Sequence, residues 1–323
     1  LGLNNGNSPT ELKVSSGHII VTKEPVLDEE EIEKLNGVKR VTRSSDEFQL
    51  VSSSWRKPSS SFITLKNGEQ IQAGSFSLIL GPCAIESEQQ LLSIASFLKE
   101  QGVKIIRGGA FKPRTSPYSF SGLGIDGLRL FSDIAKEFNL CIVTEVVSPS
   151  MIEAMYDYVD IFQIGARNSQ NYVLLKELGK VDKPVFLKRA PSGTLDELLF
   201  SAEHIYMEGN ENIILCERGV RTFESSYRNA LDLNAIPVLR SKTHLPIFVD
   251  PSHGTGRREL VEPMALAGVM AGADGVMVET QENPEGALSD ARQTLSFPEA
   301  TRLIEHCRQA FLLRQSFAND ASS

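Results

Sequence analysis

From Phe76 to Val278 the chain repeats a two-part pattern eight times, a short apolar run followed by a longer segment with apolar residues three and four positions apart. The apolar runs are Phe76–Leu80, Val103–Ile106, Cys141–Val147, Ile161–Ile164, Val185–Leu187, Ile213–Leu215, Ile247–Val249 and Gly275–Val278. A run that is apolar at every position, rather than at alternate ones, is a strand buried on both faces. The intervening segments, among them Gln89–Glu100, Gly127–Phe138, Leu195–Glu208 and Glu259–Ala271, have helical periodicity. Ser87 with Gln90 predicts a capping box, and Ser148 with Met151 a second helix start. Strands of this kind separated by helices pair in parallel. Eight units in about 235 residues fit a closed α/β barrel, a (β/α)8 barrel of ~250 residues, better than an open sheet. No Gly-rich dinucleotide fingerprint follows the first strand, which also disfavours the open alternative.

The flanks divide the rest of the chain. Ile63–Ile71 alternates in polarity around Asn67-Gly68, a hairpin signal, and such a hairpin could plug the N-terminal end of the barrel. Residues 52–61 read as a polar, Ser-rich linker, residues 62–315 as the barrel and 316–323 as a tail. Within residues 1–51, His18–Thr22, Val38–Arg43 and Phe48–Val51 read as strands and Asp28–Leu35 as a helix. The chain opens on Leu1 rather than an initiator Met, which suits a processed chain or a piece of a longer one.

Charge and composition narrow the partners. The net charge of −8 argues against a nucleic-acid surface, so an anionic ligand would need its own cluster of cations. No apolar run approaches the ~18–20 residues that span a bilayer, and the start has no signal-peptide pattern. Four cysteines in 323 residues are too sparse for a disulfide scaffold and suit a reducing cytoplasm.

In a barrel of this type the chemistry gathers at the C-terminal strand ends. Two groups of residues fall there. Arg107, Lys112, Arg114, Arg167, Lys188 and Arg218 are cationic, and in an acidic protein their concentration predicts a cradle for phosphate and carboxylate groups. Taken singly, each could merely solvate the rim. Cys83, His253, Glu279 and Asp290 follow the first, seventh and eighth strands, which adjoin once the barrel closes. Mixed thiol, imidazole and carboxylate donors suit Mn²⁺, Fe²⁺, Co²⁺ or Zn²⁺ rather than Ca²⁺ or Mg²⁺. The other cysteines, Cys141, Cys216 and Cys307, read as core residues, and His18, His204, His244 and His306 as structural.

Between Phe62 and Arg308 the stretches GPCAIES, IRGGAFKPRTSPYSFSGLG, TEVVS, QIGARN, LKR, ILCERGVRTFE, VDPSHGTGRR and ALSDARQTL occur in order. They closely resemble the 3-deoxy-D-arabino-heptulosonate 7-phosphate (DAHP) synthases, in the subgroup related to 3-deoxy-D-manno-octulosonate 8-phosphate synthase. The resemblance implies condensation of phosphoenolpyruvate with erythrose 4-phosphate at the entry to the shikimate pathway. It places Cys83, His253, Glu279 and Asp290 on the metal ligands, with Mn²⁺ foremost, and Asp290 also beside the aldose. Arg107, Lys112, Gly165, Ala166, Arg167, Lys188 and Arg218 fall on the phosphoenolpyruvate site, and Lys112, Pro113, Arg114 and Thr115 on the aldose-phosphate motif. In catalytic roles it implies Lys112, Cys83, His253 and Glu145, the last placed to orient or deprotonate a water.

The same resemblance makes residues 18–51 similar to the second half of a ferredoxin-like regulatory domain, so that residues 1–51 form a partial regulatory extension. Where the domain is complete, it implies feedback inhibition by an aromatic amino acid. A homo-oligomer, tetramer or dimer, is the family habit. Two alternatives stand beside this reading. In the octulosonate sister enzyme Ala-Asn-Arg replaces the Pro113-Arg114 that follows Lys112 here, so Pro113-Arg114-Thr115 points to erythrose 4-phosphate. A non-catalytic sensor on the same barrel would not need every ligand and cation in place.

Overall fold

The structure, a computed structural model, describes residues 10–14, 17–21, 28–39, 41, 47–58, 61–112, 118 and 120–320. Its first elements are strands β1 (Thr10–Val14) and β2 (Gly17–Val21), paired antiparallel, and helix α1 (Glu29–Glu33), which Asp28 caps. Strand β1 was not expected from the sequence, whereas β2 falls on the expected His18–Thr22.

Strands β3 (Phe62–Thr64) and β4 (Gln70–Gln72) form the expected hairpin, in register Ile63↔Ile71. The barrel strands follow: β5 (Ser77–Gly81), β6 (Ile105–Arg107), β7 (Cys141–Glu145), β8 (Ile161–Ile164), β9 (Val185–Lys188), β10 (Ile213–Glu217), β11 (Ile247–Val249) and β12 (Gly275–Glu279). All eight pair in parallel and in chain order, and β12 closes on β5 with Glu279 opposite Gly81. The fold is the (β/α)8 barrel that the alternation predicts.

Each strand is buried on both faces, which is why its sequence is uniformly apolar. Inward side chains, among them Ile79, Val143, Phe186, Phe248 and Met277, fill the barrel, and Ile63, Leu65 and Ile71 of the hairpin join that same cluster. The hairpin therefore plugs the barrel, as expected. Outward residues such as Leu80, Ile106 and Leu215 pack against the helices.

Several local expectations are corrected. Phe48–Val51 is not a strand. Its backbone N–H groups instead converge on a carboxylate of helix Leu195–Met207: Gln49 N and Leu50 N donate to Glu203 Oε1 at 3.0 and 2.9 Å, and Val51 N to Oε2 at 3.0 Å. Phe48, Leu50 and Val51 are buried in the outer core. Ser53 N donates to Lys242 O at 2.9 Å, and Arg56 pairs with Glu211 at 2.8 Å. The start of the expected linker is thus strapped to the barrel.

In the expected strand Val38–Arg43, Val38, Lys39 and Val41 are not in a strand, and the other three residues lie outside the described ones. Ser87 does cap helix Glu88–Glu100, accepting from Gln90 N, but Gln90 Oε1 accepts from Glu86 N, so the reciprocal box is missing. A complete capping box occurs at Thr194 and Glu197. Ser148 starts only a 3-10 turn, without a side-chain cap bond. The last helix, Phe297–Asp320, runs through most of the expected tail.

Candidate active site

The strand ends bring three of the four expected ligands, Cys83, Glu279 and Asp290, into one group and set His253 against Glu279. Cys83, two residues beyond β5, has its Sγ 3.2 Å from Asp290 Oδ2 and 3.1 Å from Ser289 Oγ. Glu279 is the last residue of β12, opposite Gly81, where a Cβ would stand 2.0 Å from Arg107 O. The ligand atoms of Cys83, Glu279 and Asp290 lie within 4.8 Å of one another. His253 sits on the single helical turn Pro251–Thr255, its Nε2 3.3 Å from Glu279 Oε1. Asp250 caps that turn by accepting from His253 N at 3.0 Å, and the residue spacing stacks the two side chains, His253 Nδ1 lying 2.7 Å from Asp250 Oδ2.

The cations interleave with these ligands. Arg107 Nη1 donates to Glu279 Oε1 at 2.8 Å and to Pro82 O at 2.9 Å, while its buried Nε has no hydrogen-bond partner among the described residues. Lys112 Nζ is 3.1 Å from Cys83 Sγ and 3.0 Å from Cys83 O. Lys188, the last residue of β9, donates to Asp250 Oδ2 at 2.5 Å. Arg218 donates to His253 O at 3.2 Å. Arg167 is exposed on the 3-10 turn Ala166–Asn168, after the buried Gly165. Pro113, Arg114 and Thr115 lie outside the described residues. Glu145 ends β7 and packs against Gly165, where any side chain would collide with its carboxylate.

Burial, then Glu279, pushes the Cys83 thiol up to about 12. Burial also acts to raise Glu279, yet His253 and Arg107 outweigh it and hold this carboxyl below its usual range. Asp290 is lowered against the same burial by His253 and Arg228, and Asp250 is held well below the carboxylate range by His253 and Lys188.

The tautomer at His253 bears on what the cluster binds. Asp250 Oδ2 accepts from Nδ1–H, so a neutral ring turns its Nε2 lone pair toward Glu279 Oε1 at 3.3 Å. A lone pair facing a carboxylate is repulsive unless positive charge lies there, either a proton on Nε2 or a bound cation. Cys83 and Asp290 gather their donors with Glu279, and His253 joins this triad through Glu279. The four residues fit a divalent transition metal on the chemistry of their donors.

Residues that the sequence did not single out complete the frame. Gln293 donates to Glu279 Oε2 at 2.9 Å, and Ser252 Oγ accepts from Glu279 N at 3.1 Å. Arg228 reaches Asp290 Oδ1 at 3.5 Å. Arg189, next to Lys188, instead pairs with the buried Glu217 at 2.8 Å and with Asp232 at 2.9 Å, a structural brace beneath the rim. Cys141, Cys216 and Cys307 are buried free thiols. His244 is buried beneath the strap, His204 packs on Tyr172 and His306 binds Glu262.

Known proteins resemble this chain in sequence and fold. The sequence pattern of the DAHP synthetase I family matches residues 61–313, the barrel with its hairpin. This chain belongs to the DAHP synthetase I family.

Among its relatives, phospho-2-dehydro-3-deoxyheptonate aldolase of Thermotoga maritima is 45% identical over 280 residues, 87% of this chain and 82% of that one. The crystal structure of phospho-2-dehydro-3-deoxyheptonate aldolase (DAHP synthase) from Thermotoga maritima covers 95% of this chain and 91% of its own, with a TM-score of 0.81 and 42% identity. A more distant relative, 2-dehydro-3-deoxyphosphooctonate aldolase of Syntrophobacter fumaroxidans, is 32% identical over 257 residues, 74% of this chain and 88% of that one. The DAHP synthetase I pattern thus spans the barrel but leaves residues 1–60 outside it.

Proposed function

We propose that this chain condenses phosphoenolpyruvate with D-erythrose 4-phosphate and water to give DAHP and inorganic phosphate, the first step of the shikimate pathway. The observation that carries this reading is the interleaving of anion-binding cations with the four-donor cluster. Arg107, Lys112 and Lys188 each reach a residue of that cluster or the carboxylate behind it. A reaction that joins an anionic enol phosphate to an aldehyde needs this adjacency.

Cys83, His253, Glu279 and Asp290 would hold a divalent ion, Mn²⁺ foremost and Fe²⁺, Co²⁺ or Zn²⁺ as alternatives, which supplies Lewis acidity toward the aldehyde oxygen. Arg107, Lys188 and Arg218 hold the phosphate and carboxylate of phosphoenolpyruvate, with the Gly165-Ala166 backbone and Arg167 at the edge of the site. The methylene carbon of the enol forms the new bond to the aldehyde carbon as the C=O π pair moves onto the aldehyde oxygen, which takes up a proton to become a hydroxyl. Positive charge then develops at C2, where Glu145 orients and deprotonates the entering water. The resulting tetrahedral carbon expels phosphate, and the fixed cations stabilise it as it leaves. Lys112 stands between the two substrates. Pro113, Arg114 and Thr115 would grip the aldose phosphate, with Asp290 beside the aldose.

Erythrose 4-phosphate is favoured over arabinose 5-phosphate by Pro113-Arg114-Thr115 and by the greater identity to the heptonate relative than to the octonate one. Residues 1–51 are read as a partial regulatory extension, the working assembly as a homo-tetramer or dimer, and its compartment as the cytoplasm. Release of inorganic phosphate from phosphoenolpyruvate, followed with each aldose in turn, tests the function. Release that requires erythrose 4-phosphate is the expected result. Preference for arabinose 5-phosphate moves the chain to the sister activity, and release with neither aldose refutes catalysis.

A further inference from the structure

One carboxylate oxygen joins the two halves of the site. Asp250 Oδ2 accepts from Lys188 Nζ at 2.5 Å and from His253 Nδ1 at 2.7 Å. Asp250 is fully buried and Lys188 only 4% exposed, so water does not screen this junction. Asp250 Oδ1 is used separately, accepting from His253 N at 3.0 Å, which fixes the carboxylate plane. On one side the junction continues through the imidazole to Nε2, which faces Glu279, and on the other it ends at an ammonium on the anion cradle.

We propose that Asp250 is a positioning residue that couples anion binding at Lys188 to cation binding at His253. This rests on the proposed function, in which those two residues face phosphoenolpyruvate and the metal. An ammonium has three protons, so Lys188 can bind an anion without leaving Asp250. An anion on Lys188 weakens the pull of that ammonium on Oδ2. The oxygen then accepts more strongly from Nδ1–H, which raises the basicity of Nε2 toward a cation. In the other direction, a cation on Nε2 makes Nδ1–H a stronger donor, draws charge from Oδ2 and frees the ammonium for the anion. The two effects are one coupling free energy and must be equal.

Two measurements test the coupling, neither of which requires turnover. In the first, Mn²⁺ affinity is measured by the loss of the free-ion magnetic resonance signal, with and without phosphoenolpyruvate and with no aldose present. The wild type should bind Mn²⁺ more tightly with phosphoenolpyruvate, within the ~5–150-fold range usual for coupled sites. In Asp250→Asn the ratio should fall at least fivefold, because a neutral amide carries no negative charge to shift between the two donors and its NH₂ group must face one of the N–H donors that the carboxylate now accepts from. The same ratio in both proteins would overturn the proposal and assign the effect to direct attraction between the ion and the anion. The second needs only wild-type protein labelled at histidine, with the resonance assigned by its loss in His253→Gln. Adding phosphoenolpyruvate to the metal-free protein should shift the His253 Nδ1–H proton downfield, and an unmoved resonance in a protein shown to bind phosphoenolpyruvate would also overturn the proposal. If wild type binds neither Mn²⁺ nor phosphoenolpyruvate, the proposed function fails, and the coupling with it.

Discussion

A Cβ on residue 165 would stand 1.9 Å from Glu145 Oε1, so Gly165 is the space into which the Glu145 carboxylate fits. Glu145 ends β7, and the glycine on the neighbouring β8 side leaves the carboxylate one place to lie. Gly165→Ala should displace it without unfolding a barrel whose strands are closed elsewhere. If Glu145 handles the water, kcat in Gly165→Ala and in Glu145→Gln should each fall ~10²-fold or more, the lower bound for loss of a positioned general base. Steady-state kinetics within twofold of wild type in both variants would remove Glu145 from the mechanism.

Chelator-treated protein should be inactive, and Mn²⁺ or a neighbouring divalent ion should restore turnover. Cys83→Ala should lose metal affinity yet keep its thermal midpoint, because Cys83 follows the strand and its bonds are to site groups. Metal content by elemental analysis and melting by circular dichroism check both halves. Full activity after verified metal removal would contradict the donor-set argument.

Lys188→Ala and Arg218→Ala should each lose ~2–5 kcal/mol of transition-state stabilisation, the range for removing one partner of a buried charged pair. The ratio of kcat/KM values gives the figure directly. Lys188→Ala should be the worse of the two, since it leaves Asp250 buried opposite His253 alone, whereas Arg218 hydrogen-bonds to the carbonyl oxygens of Gly219 and His253. Near wild-type kinetics in both would show that the anion site lies elsewhere.

The eight strands are legible because burial on both faces writes itself as unbroken apolar runs. Their ends are less so. Lys188, Glu217 and Glu279 remain in the strand ladder although they are charged, since pairing continues one or two residues past the apolar run. The metal-ligand candidates could be found because they follow strand ends that adjoin in any closed barrel. Asp250 stands in the sequence only as part of the stretch VDPSHGTGRR. Its spacing to His253, three residues across a Pro-initiated turn, is the signal that places the two side chains together. Gln293 gave no such sign, since only the return of the chain after β12 brings it to Glu279. Phe48–Val51 read as a strand because it is rich in apolar residues. What buries it is a distant helix carrying Glu203, and no local pattern encodes that contact.

The strap alters what a truncation should do. Removing residues 1–46 should leave catalysis intact, because every proposed site residue lies beyond Gly81. Removing residues 1–60 also strips Phe48, Leu50 and Val51 from the core. At ~1.5–3 kcal/mol for each buried apolar side chain, the longer deletion should lower the unfolding midpoint markedly while kcat persists. In the full chain and in the shorter deletion, both of which keep it, Trp55 packs on the same core and reports strap release by fluorescence. Any inhibition by Phe or Tyr should be lost with either deletion, and inhibition that survives both would place the effector site in the barrel.

The last prediction concerns acid stability at the base of the strap. His244 is fully buried; Leu50 O lies 2.8 Å from Nε2, and Ser61 Oγ lies 2.7 Å from Nδ1. A carbonyl can only accept, so Nε2 carries the proton and Nδ1 accepts from the Ser61 hydroxyl. Burial lowers this imidazole from 6.5 to about 4, although Leu50 O pulls the other way. The folded state therefore binds this proton less readily than the unfolded chain. The stability it contributes is fully present above pH 6.5, is lost as pH falls toward 4, and changes no further below that. Between pH 7.5 and pH 5 the loss is ~2 kcal/mol, from 1.36 kcal/mol per pH unit over the part of the window where only the unfolded chain is protonated. His244→Gln retains a donor for Leu50 O and an acceptor for Ser61 but does not titrate. Urea unfolding at the two pH values should show wild type losing about that ~2 kcal/mol more than the variant, while carboxylates titrating elsewhere affect both alike. Equal losses would mean that the imidazole takes up its proton as readily in the folded protein as in the unfolded chain, and the buried neutral ring assigned here would be wrong.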